Sequence, residues 1–446
     1  MRIFLGSPEL VSFGGHDFGY LDCLRSALRR AGHEVHMLGC RRMIPELESR
    51  EGVCPALSVP SYPRVMKVYG DEIVQRHKYY TILTQSLRTL PENEELQNIR
   101  ETALRRYDWF GAWVVDATLK DLDEIDATFL LSNSDIFILD GLKSEQIAGI
   151  AEWAAHRARM PNKAPIPYVA TILHFDIPKD DATPVVEQAY RDVFTLIREA
   201  GLADRFVFFA DTDALAAYFS DLAGMAVTTV PIPHTRHPDV PTSRPDNDAP
   251  TVGFAGGGHR GHGFHLLPFV VERFSNLAAA GRLRFEIQAN TADARDELIS
   301  LARLALKWMP AAVHDGALSP RDYYGLIARS DICIFPYLGL QFRTQSSGVF
   351  AEVLAYGAVP IVPANTWMAE IAERHGIGVV FAPSTMQGLY AAIDHALSNL
   401  DALKRRSAAF AGEWRRINSP ENYLDVMGGR IGGDSLLNPA FMAEKE

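Results

Sequence analysis

The chain has 446 residues, with 44 basic and 55 acidic side chains that give a formal net charge of −11. A hydrophobic fraction of 47% and a charged fraction of 22% are typical of a folded globular protein and exclude the disordered, collagen-like and coiled-coil classes. The acidic balance argues against nucleic-acid binding, which needs a clearly basic domain, and the length predicts two or three domains.

The first half alternates short apolar segments with amphipathic helical ones, a pattern typical of parallel sheets covered by helices on both faces. We predict a helix over Tyr20–Ala31, ended by Gly32, and a helical insertion in the polar residues 62–106. One sheet accounts for this half. Its predicted strands are Arg2–Leu5, His33–Leu38, Ile136–Leu139, Tyr168–Leu173, Phe206–Phe209 and Val227–Val230.

The second half follows a proline-rich stretch, residues 234–250, which is typical of a linker. Its predicted strands are Thr251–Ala255, Phe285–Gln288, Ile332–Phe335, Val359–Val362 and Gly378–Phe381. A helical stretch over residues 386–414 is predicted to lead into a polar segment through Asn422 and a frayed, glycine-rich end.

These elements predict an α/β fold with two doubly wound, Rossmann-like parallel-sheet domains. The predicted bounds are 1–235 for the first domain, 236–250 for the linker, 251–416 for the second domain and 417–446 for a return segment and tail. Ligands of open α/β sheets bind beyond the carboxyl ends of the strands, so we expect the site in a cleft between the domains.

Cysteine usage and the chain start predict a cytoplasmic setting. The four cysteines, Cys23, Cys40, Cys54 and Cys333, form no C-x-x-C pair and are too few to stabilise a chain of this size as disulfides. The segment MRIFLGSPEL carries no secretory h-region, and no apolar stretch is long enough to span a bilayer. Peripheral association with the inner face of the membrane is the alternative.

The strongest local motif is TVGFAGGGHRGHGF, residues 251–264, where a strand runs into a glycine turn and then a helix. Backbone N–H groups of Gly257 and Gly258 can approach a phosphate, and Arg260 can neutralise a diphosphate. The pattern is neither G-x-G-x-x-G nor a Walker loop. A flexible glycine turn with a solvated arginine is an equally weighted alternative.

A second motif, FRTQSSGVFAEVLAYGAVP, spans residues 342–360. Its loop amides and the hydroxyls of Ser346 and Ser347 suit an anion, and Glu352, on the second turn of the following helix, suits the paired hydroxyls of a ribose. From the residues alone, an exposed helix position is the favoured interpretation of a lone glutamate.

Together the two motifs resemble the donor-binding domain of glycosyltransferase family 4, retaining GT-B enzymes that use nucleotide sugars. Arg260 matches that family's arginine, and His262-Gly263 stands where Lys-Gly is usual. Glu352 matches the second glutamate of the family's two-glutamate motif, whereas Thr344 stands at the first. In this respect the chain resembles a subgroup of the family that carries Arg and Ser-Ser-Gly at these positions. The donor contacts that this resemblance implies are Arg343, Gln345, Ser346, Ser347 and Gly348.

The first half resembles the same family more loosely. Gly14, Gly15 and His16 resemble the acceptor-side glycine loop, and YVATILHFD resembles a strand that ends in a catalytic histidine, here His174. The resemblance implies His174, Arg260 and Glu352 as catalytic residues, with retention and no metal or other cofactor. It also implies a nucleotide-diphosphate sugar as donor and a glycan, lipid-linked or small-molecule acceptor, in cell-surface glycan or glycoconjugate synthesis.

Rival interpretations remain open. A metal site at His259, His262 and His265 is disfavoured because these residues are spread through a glycine loop without an acidic partner at metal-site spacing. Asp211-Thr212-Asp213 resembles the metal motif of another glycosyltransferase fold, but we interpret it as a helix N-cap. The alternatives for function are a lapsed transferase that binds nucleotide or acts as a scaffold, and a GT-B nucleotide-sugar epimerase. Oligomeric state, base, sugar and acceptor are left open.

Overall fold

The computed structural model describes most of the chain. The described residues are 1–13, 16–59, 109–160, 164–174, 183–233, 236–237, 239–242, 247–290, 296–338, 340–383, 385–432 and 436–437. The predicted helical insertion at 62–106 and the glycine pair Gly14-Gly15 lie outside these residues.

The first sheet has seven parallel strands in the order β3-β2-β1-β4-β5-β6-β7. The strands are β1 Arg2–Gly6, β2 Glu34–Cys40, β3 Val53–Leu57, β4 Ile136–Leu139, β5 Tyr168–Ile172, β6 Phe206–Ala210 and β7 Val227–Thr229. All six predicted strands are present. The sequence analysis missed β3 because it contains Pro55, which a strand tolerates at a sheet edge, where β3 lies.

Helices cover this sheet. They are α1 His16–Arg30, α2 Pro45–Glu51, α3 Trp109–Phe129, α4 Ser144–Arg159, α5 Thr183–Glu199 and α6 Asp213–Ala223. Gly32 follows α1 with a φ of 85°, a conformation that glycine adopts without strain. The hydroxyl of Thr212 accepts the N–H of Leu215 at 3.2 Å, so the predicted N-cap in the Asp-Thr-Asp segment is this threonine.

The second sheet has six parallel strands in the order β10-β9-β8-β11-β12-β13. They are β8 Thr251–Phe254, β9 Arg284–Ala289, β10 Ala312–Asp315, β11 Ile332–Ile334, β12 Val359–Pro363 and β13 Val379–Phe381. The five predicted strands are present. The strand periodicity did not reveal β10 because it is an edge strand without a fully buried residue.

The helices of the second half are α7 Leu267–Arg273, α8 Ser275–Ala279, α9 Glu297–Leu306, α10 Pro320–Arg329, α11 Gly348–Ala355, α12 Trp367–His375, α13 Met386–Ser398, α14 Leu400–Ile417 and α15 Pro420–Ile431. The helical stretch predicted over 386–414 is therefore two helices, separated at Asn399.

The prediction of a polar segment and a frayed end was wrong for residues 420–431, because α15 continues through two glycines. Tyr423, Leu424 and Met427 are fully buried on one face of this helix, and this burial outweighs the helix cost of about 1 kcal/mol per glycine.

The chain divides into two compact units. Unit 1 comprises Met1–Thr229 and Leu424–Glu446, and unit 2 comprises Val230–Tyr423. Each unit has its own parallel sheet and its own buried apolar core. Among the helices of the described part of the chain, none is long and apolar enough to span a membrane.

Candidate functional site

In unit 1, three neighbouring strands end in ionisable residues. Asp140 directly follows β4, His174 is the second residue after β5, and Asp211 directly follows β6. Because the three strands are parallel neighbours, their carboxyl ends meet at one edge of the sheet. Nδ1 of His174 lies 3.1 Å from Oδ2 of Asp211, and Nε2 of His174 pairs with Oδ1 of Asp140.

The two carboxylates set the charge of His174, whose side chain is 21% exposed. Burial by itself lowers the pKa of His174, but the negative charges of Asp140 and Asp211 outweigh it and raise this pKa well above 6.5. Because a carboxylate oxygen only accepts hydrogen bonds, this geometry and the raised pKa favour a ring that donates from both nitrogens, an imidazolium. His174 in this state has no lone pair with which to act as a base.

The sequence predicted His174 as a site residue, but it did not predict Asp140 or Asp211 as the partners of this histidine. The available signal was an aspartate directly after each of two apolar strands, β4 and β6. The Asp211 signal was assigned instead to a helix cap, a role that Thr212 fills.

Two more ionisable groups follow strands of the same sheet, the buried Glu9 and the half-buried Lys143. Glu9 lies three residues after β1, and Lys143 lies four residues after β4. Burial lowers the pKa of Lys143 to about 8, against the opposing effect of the negative charges of Glu9 and Glu145. The predicted acceptor-side residue His16 is the first residue of α1.

In unit 2, the glycine loop after β8 is tied to the end of β9. The N–H of Gly256 donates to Oε1 of Gln288 at 2.8 Å, and the N–H of Gly258 donates to the carbonyl of Asn290 at 2.8 Å. Gly257 forms a parallel bridge with Asn290. The loop is therefore ordered by the neighbouring strand, and the Gly258 amide already has an acceptor.

The ring of His262 holds this loop from the other side. Its Nδ1 lies 2.8 Å from the carbonyl oxygen of Gly257, and the ring is tilted against His259 and stacked on Tyr337, with centroids at 3.7 and 4.4 Å. The ring of Phe342, next to Arg343, lies 5.7 Å away. The two sequence motifs of unit 2 are thus brought to one surface.

Arg260 is exposed and already carries an ion pair. Its Nε lies 2.7 Å from Oδ2 of Asp296 and its Nη2 lies 3.0 Å from Oδ1. Asp296 also caps α9 by accepting two of its N–H groups. This arrangement fixes one edge of the guanidinium and uses two of its five donors.

The second motif forms a polar turn in front of α11. A 3-10 turn over Leu340–Arg343 leaves Arg343 exposed, and Thr344, Gln345 and Ser346 follow half-buried. Ser347 is the N-cap, with its hydroxyl accepting the N–H of Phe350 at 3.3 Å, and Gly348 opens the helix. The N–H groups of a first helical turn favour an anion.

Glu352 is 2% exposed, so the interpretation as an exposed helix residue was wrong. One carboxylate oxygen accepts the hydroxyl of Tyr324 at 3.0 Å, and the other accepts the hydroxyl of Tyr323. Burial and the negative charge of Glu352 raise the pKa of Tyr323 well above 10. Sequence analysis missed both tyrosines because they belong to a different helix, α10.

Within the described ranges, no group of three or more histidine, cysteine, aspartate or glutamate side chains has the arrangement to hold a metal ion. His259 and His262 contact each other as tilted rings, with centroids 3.7 Å apart.

No protein-family model and no curated protein matches the sequence. Solved structures do match over nearly the whole chain. A UDP-forming α,α-trehalose-phosphate synthase from Burkholderia xenovorans is 15% identical, with 96% of this chain and 98% of that chain covered and a TM-score of 0.60. A sucrose-phosphate synthase from Thermosynechococcus elongatus is 12% identical (95% and 96% covered, TM-score 0.57). A glycosyltransferase from Rickettsia africae is 14% identical (96% and 98% covered, TM-score 0.57).

Identities this low show the fold alone. The predicted fold class, two parallel-sheet α/β domains of the GT-B type, is confirmed. The resemblance to family 4 in particular stays a prediction.

Proposed function

We propose that the chain is a glycosyltransferase that moves a sugar from a nucleotide-diphosphate donor to an acceptor hydroxyl. The observation that carries the proposal is a fold match over at least 95% of the chain to sugar-transferring enzymes, one of them described as UDP-forming. The ionisable residues at the strand ends of unit 1 and the anion-suited motifs of unit 2 supply groups for such a reaction.

Unit 2 is proposed to bind the donor. The guanidinium groups of Arg260 and Arg343, with the amides at the start of α11, neutralise the diphosphate without a metal ion. Glu352 accepts the two ribose hydroxyls, which take the place of the hydroxyls of Tyr323 and Tyr324 on the same carboxylate. This exchange keeps the buried charge paired in both states.

Unit 1 is proposed to orient the acceptor. The carboxylates of Asp140 and Asp211 accept hydroxyl protons of a sugar, and the imidazolium of His174 holds both carboxylates in place. Because this imidazolium is not a base, the acceptor proton goes to the departing phosphate oxygen on the same face of the donor sugar. That route retains the anomeric configuration, as the sequence resemblance implies. We propose a glycan, lipid-linked or small-molecule acceptor and a role in cell-surface glycan synthesis.

A specific observation favours a second candidate, a lapsed transferase that binds nucleotide or acts as a scaffold. Three of the predicted donor-site groups already have partners within the chain: Gly258 with Asn290, Arg260 with Asp296, and Glu352 with two tyrosines. A donor must replace at least part of these contacts.

Donor turnover separates the two candidates. The purified chain is incubated with UDP-, GDP-, TDP- and ADP-sugars, with and without EDTA, and nucleoside diphosphate release is measured. We expect slow release from one donor, unaffected by EDTA and reduced about 100-fold in Arg260→Ala. The matched control is Arg303→Ala, which removes another partly exposed arginine paired with an aspartate, Asp315. Binding of a nucleotide without any release would support the lapsed transferase.

A further inference from the structure

The outward face of α9 carries a row of exposed apolar side chains. Leu298, Leu301 and Leu304 are 41%, 62% and 56% exposed, and Trp308, two residues beyond the helix, is 86% exposed. The opposite face, with Ile299, Ala302 and Leu306, is buried in unit 2. We call the four exposed residues the outer row.

The outer row is unusual for this chain. In the part of the chain that the structure describes, nine large hydrophobic side chains are exposed, and four of them fall within these eleven residues. Single exposed leucines are ordinary, whereas a contiguous apolar patch marks an interaction surface. Helix α7, which packs against α9, carries a further exposed apolar side chain, Phe269.

The charges at the two ends of α9 differ in sign. Among the described residues at the start, Asp296 is neutralised by Arg260, which leaves the exposed Glu297 as excess negative charge. At the end, Arg303 and Lys307 both pair with the single carboxylate of Asp315, which leaves one excess positive charge. The surface is therefore complementary to an inverted copy of itself.

We propose that the outer row is a homodimer interface, in which α9 of one protomer packs antiparallel against α9 of a second copy about a two-fold axis. Such an interface is isologous, and it places Leu298 opposite Trp308 of the partner subunit and Glu297 near Lys307 of the partner subunit. A parallel pairing would bring like charges together.

The same charges argue against a lipid surface as the occupant. Anionic headgroups repel Glu297, and the shared pairing of Arg303 and Lys307 with Asp315 leaves only one excess positive charge to attract such headgroups. The row extends about 15 Å along the helix axis. Two such rows bury a smaller area than a standard protein–protein interface, so we expect the dimer to dissociate in the micromolar range. This inference does not depend on the proposed activity.

Sedimentation velocity of the full chain, from about 2 to about 200 μM, tests the proposal across the concentrations at which a small interface forms. We expect a concentration-dependent monomer–dimer equilibrium that Leu301→Glu abolishes while leaving the thermal midpoint unchanged. The matched control is Leu130→Glu, which changes a leucine of unit 1 that is 79% exposed. It should dimerise like the wild type.

Charge reversal tests the antiparallel arrangement. Glu297→Lys and Lys307→Glu should each weaken the dimer about tenfold, and the double variant should recover the wild-type affinity. A wild-type chain that stays monomeric, or a dimer unaffected by Leu301→Glu, overturns the proposal. Flotation of the wild type with phosphatidylserine vesicles, lost in Leu301→Glu, would also overturn it and assign the row to lipid.

Discussion

The replacement Asp211→Asn removes one of the two negative charges that face His174 and keeps the shape of the side chain. The lost contact is a charge-assisted hydrogen bond of 3.1 Å between Nδ1 and Oδ2. Hydrogen bonds to charged groups contribute about 1.5–3 kcal/mol, and one pKa unit corresponds to about 1.4 kcal/mol. We therefore expect the pKa of His174 to fall in the variant, while Asp140 still holds it above its ordinary value.

The sign of the stability effect follows from the direction of the shift. The pKa of His174 is raised in the folded state above its ordinary value of 6.5. The stabilisation by the two carboxylates is therefore fully present below about pH 6.5 and is lost as the pH rises through the folded-state pKa. The variant should be less stable than the wild type by about 1.5–3 kcal/mol at pH 6, with the difference shrinking in alkaline solution.

The assay is an imidazole NMR titration of histidine-labelled protein, with the His174 signal assigned by its loss in His174→Gln. Urea unfolding at acidic and alkaline pH gives the stability difference. Asp213→Asn is the matched control, since this exposed carboxylate accepts the hydroxyl of Thr229 and makes no ion pair with His174. A wild-type His174 that titrates near 6.5, or a titration unchanged by Asp211→Asn, would refute the imidazolium assignment.

Three further predictions concern unit 2. Glu352→Gln should lower the affinity for the nucleoside diphosphate by about tenfold or more, as measured by calorimetry. An unchanged affinity would show that Glu352 does not bind the ribose hydroxyls. Arg260→Ala should reduce donor turnover about 100-fold yet change the free energy of unfolding by less than about 0.5 kcal/mol, because the side chain is exposed. Gly263→Ala should destabilise the chain by about 2 kcal/mol or more in urea unfolding, because its φ is 69° and an added Cβ would lie 1.9 Å from the carbonyl oxygen of Pro336. Gly32→Ala, with a φ of 85° and open space, should show only the smaller conformational cost.

The sequence predicted the strands of both sheets well where they are central and buried. An apolar segment such as Ile136–Leu139 leaves few alternatives, since both faces of a parallel strand are covered. The apolar pattern did not predict the edge strands β3 and β10, because a strand at the edge of a sheet tolerates proline and partly exposed residues. The glycines of α15 misled the prediction because local propensity is weaker than the burial of an apolar helix face.

The sequence predicted individual residues of the candidate site, but it did not predict which side chains contact one another there. His174 was named because its strand end resembles the family's, since a histidine after a strand is by itself more often a structural residue. Its pairing with Asp140 and Asp211 depends on β4, β5 and β6 being neighbours in the sheet, which the order of residues does not state. The burial of Glu352 depends likewise on α10 packing against α11, and a lone glutamate in a helix gives no sign of such a partner.

Nucleotide binding is the most direct test of the proposed donor site. Thermal melting is measured with UDP, GDP, TDP, ADP and CMP and their sugar conjugates, without added metal, for the wild type and Glu352→Gln. A ligand at about 100 times its dissociation constant adds about 2.7 kcal/mol to the free energy of unfolding, which raises the midpoint by several degrees. We expect one nucleoside diphosphate and its sugar conjugate to raise the wild-type midpoint, with a smaller rise in the variant. A wild-type midpoint that no member of the panel moves at millimolar concentration would contradict the donor site.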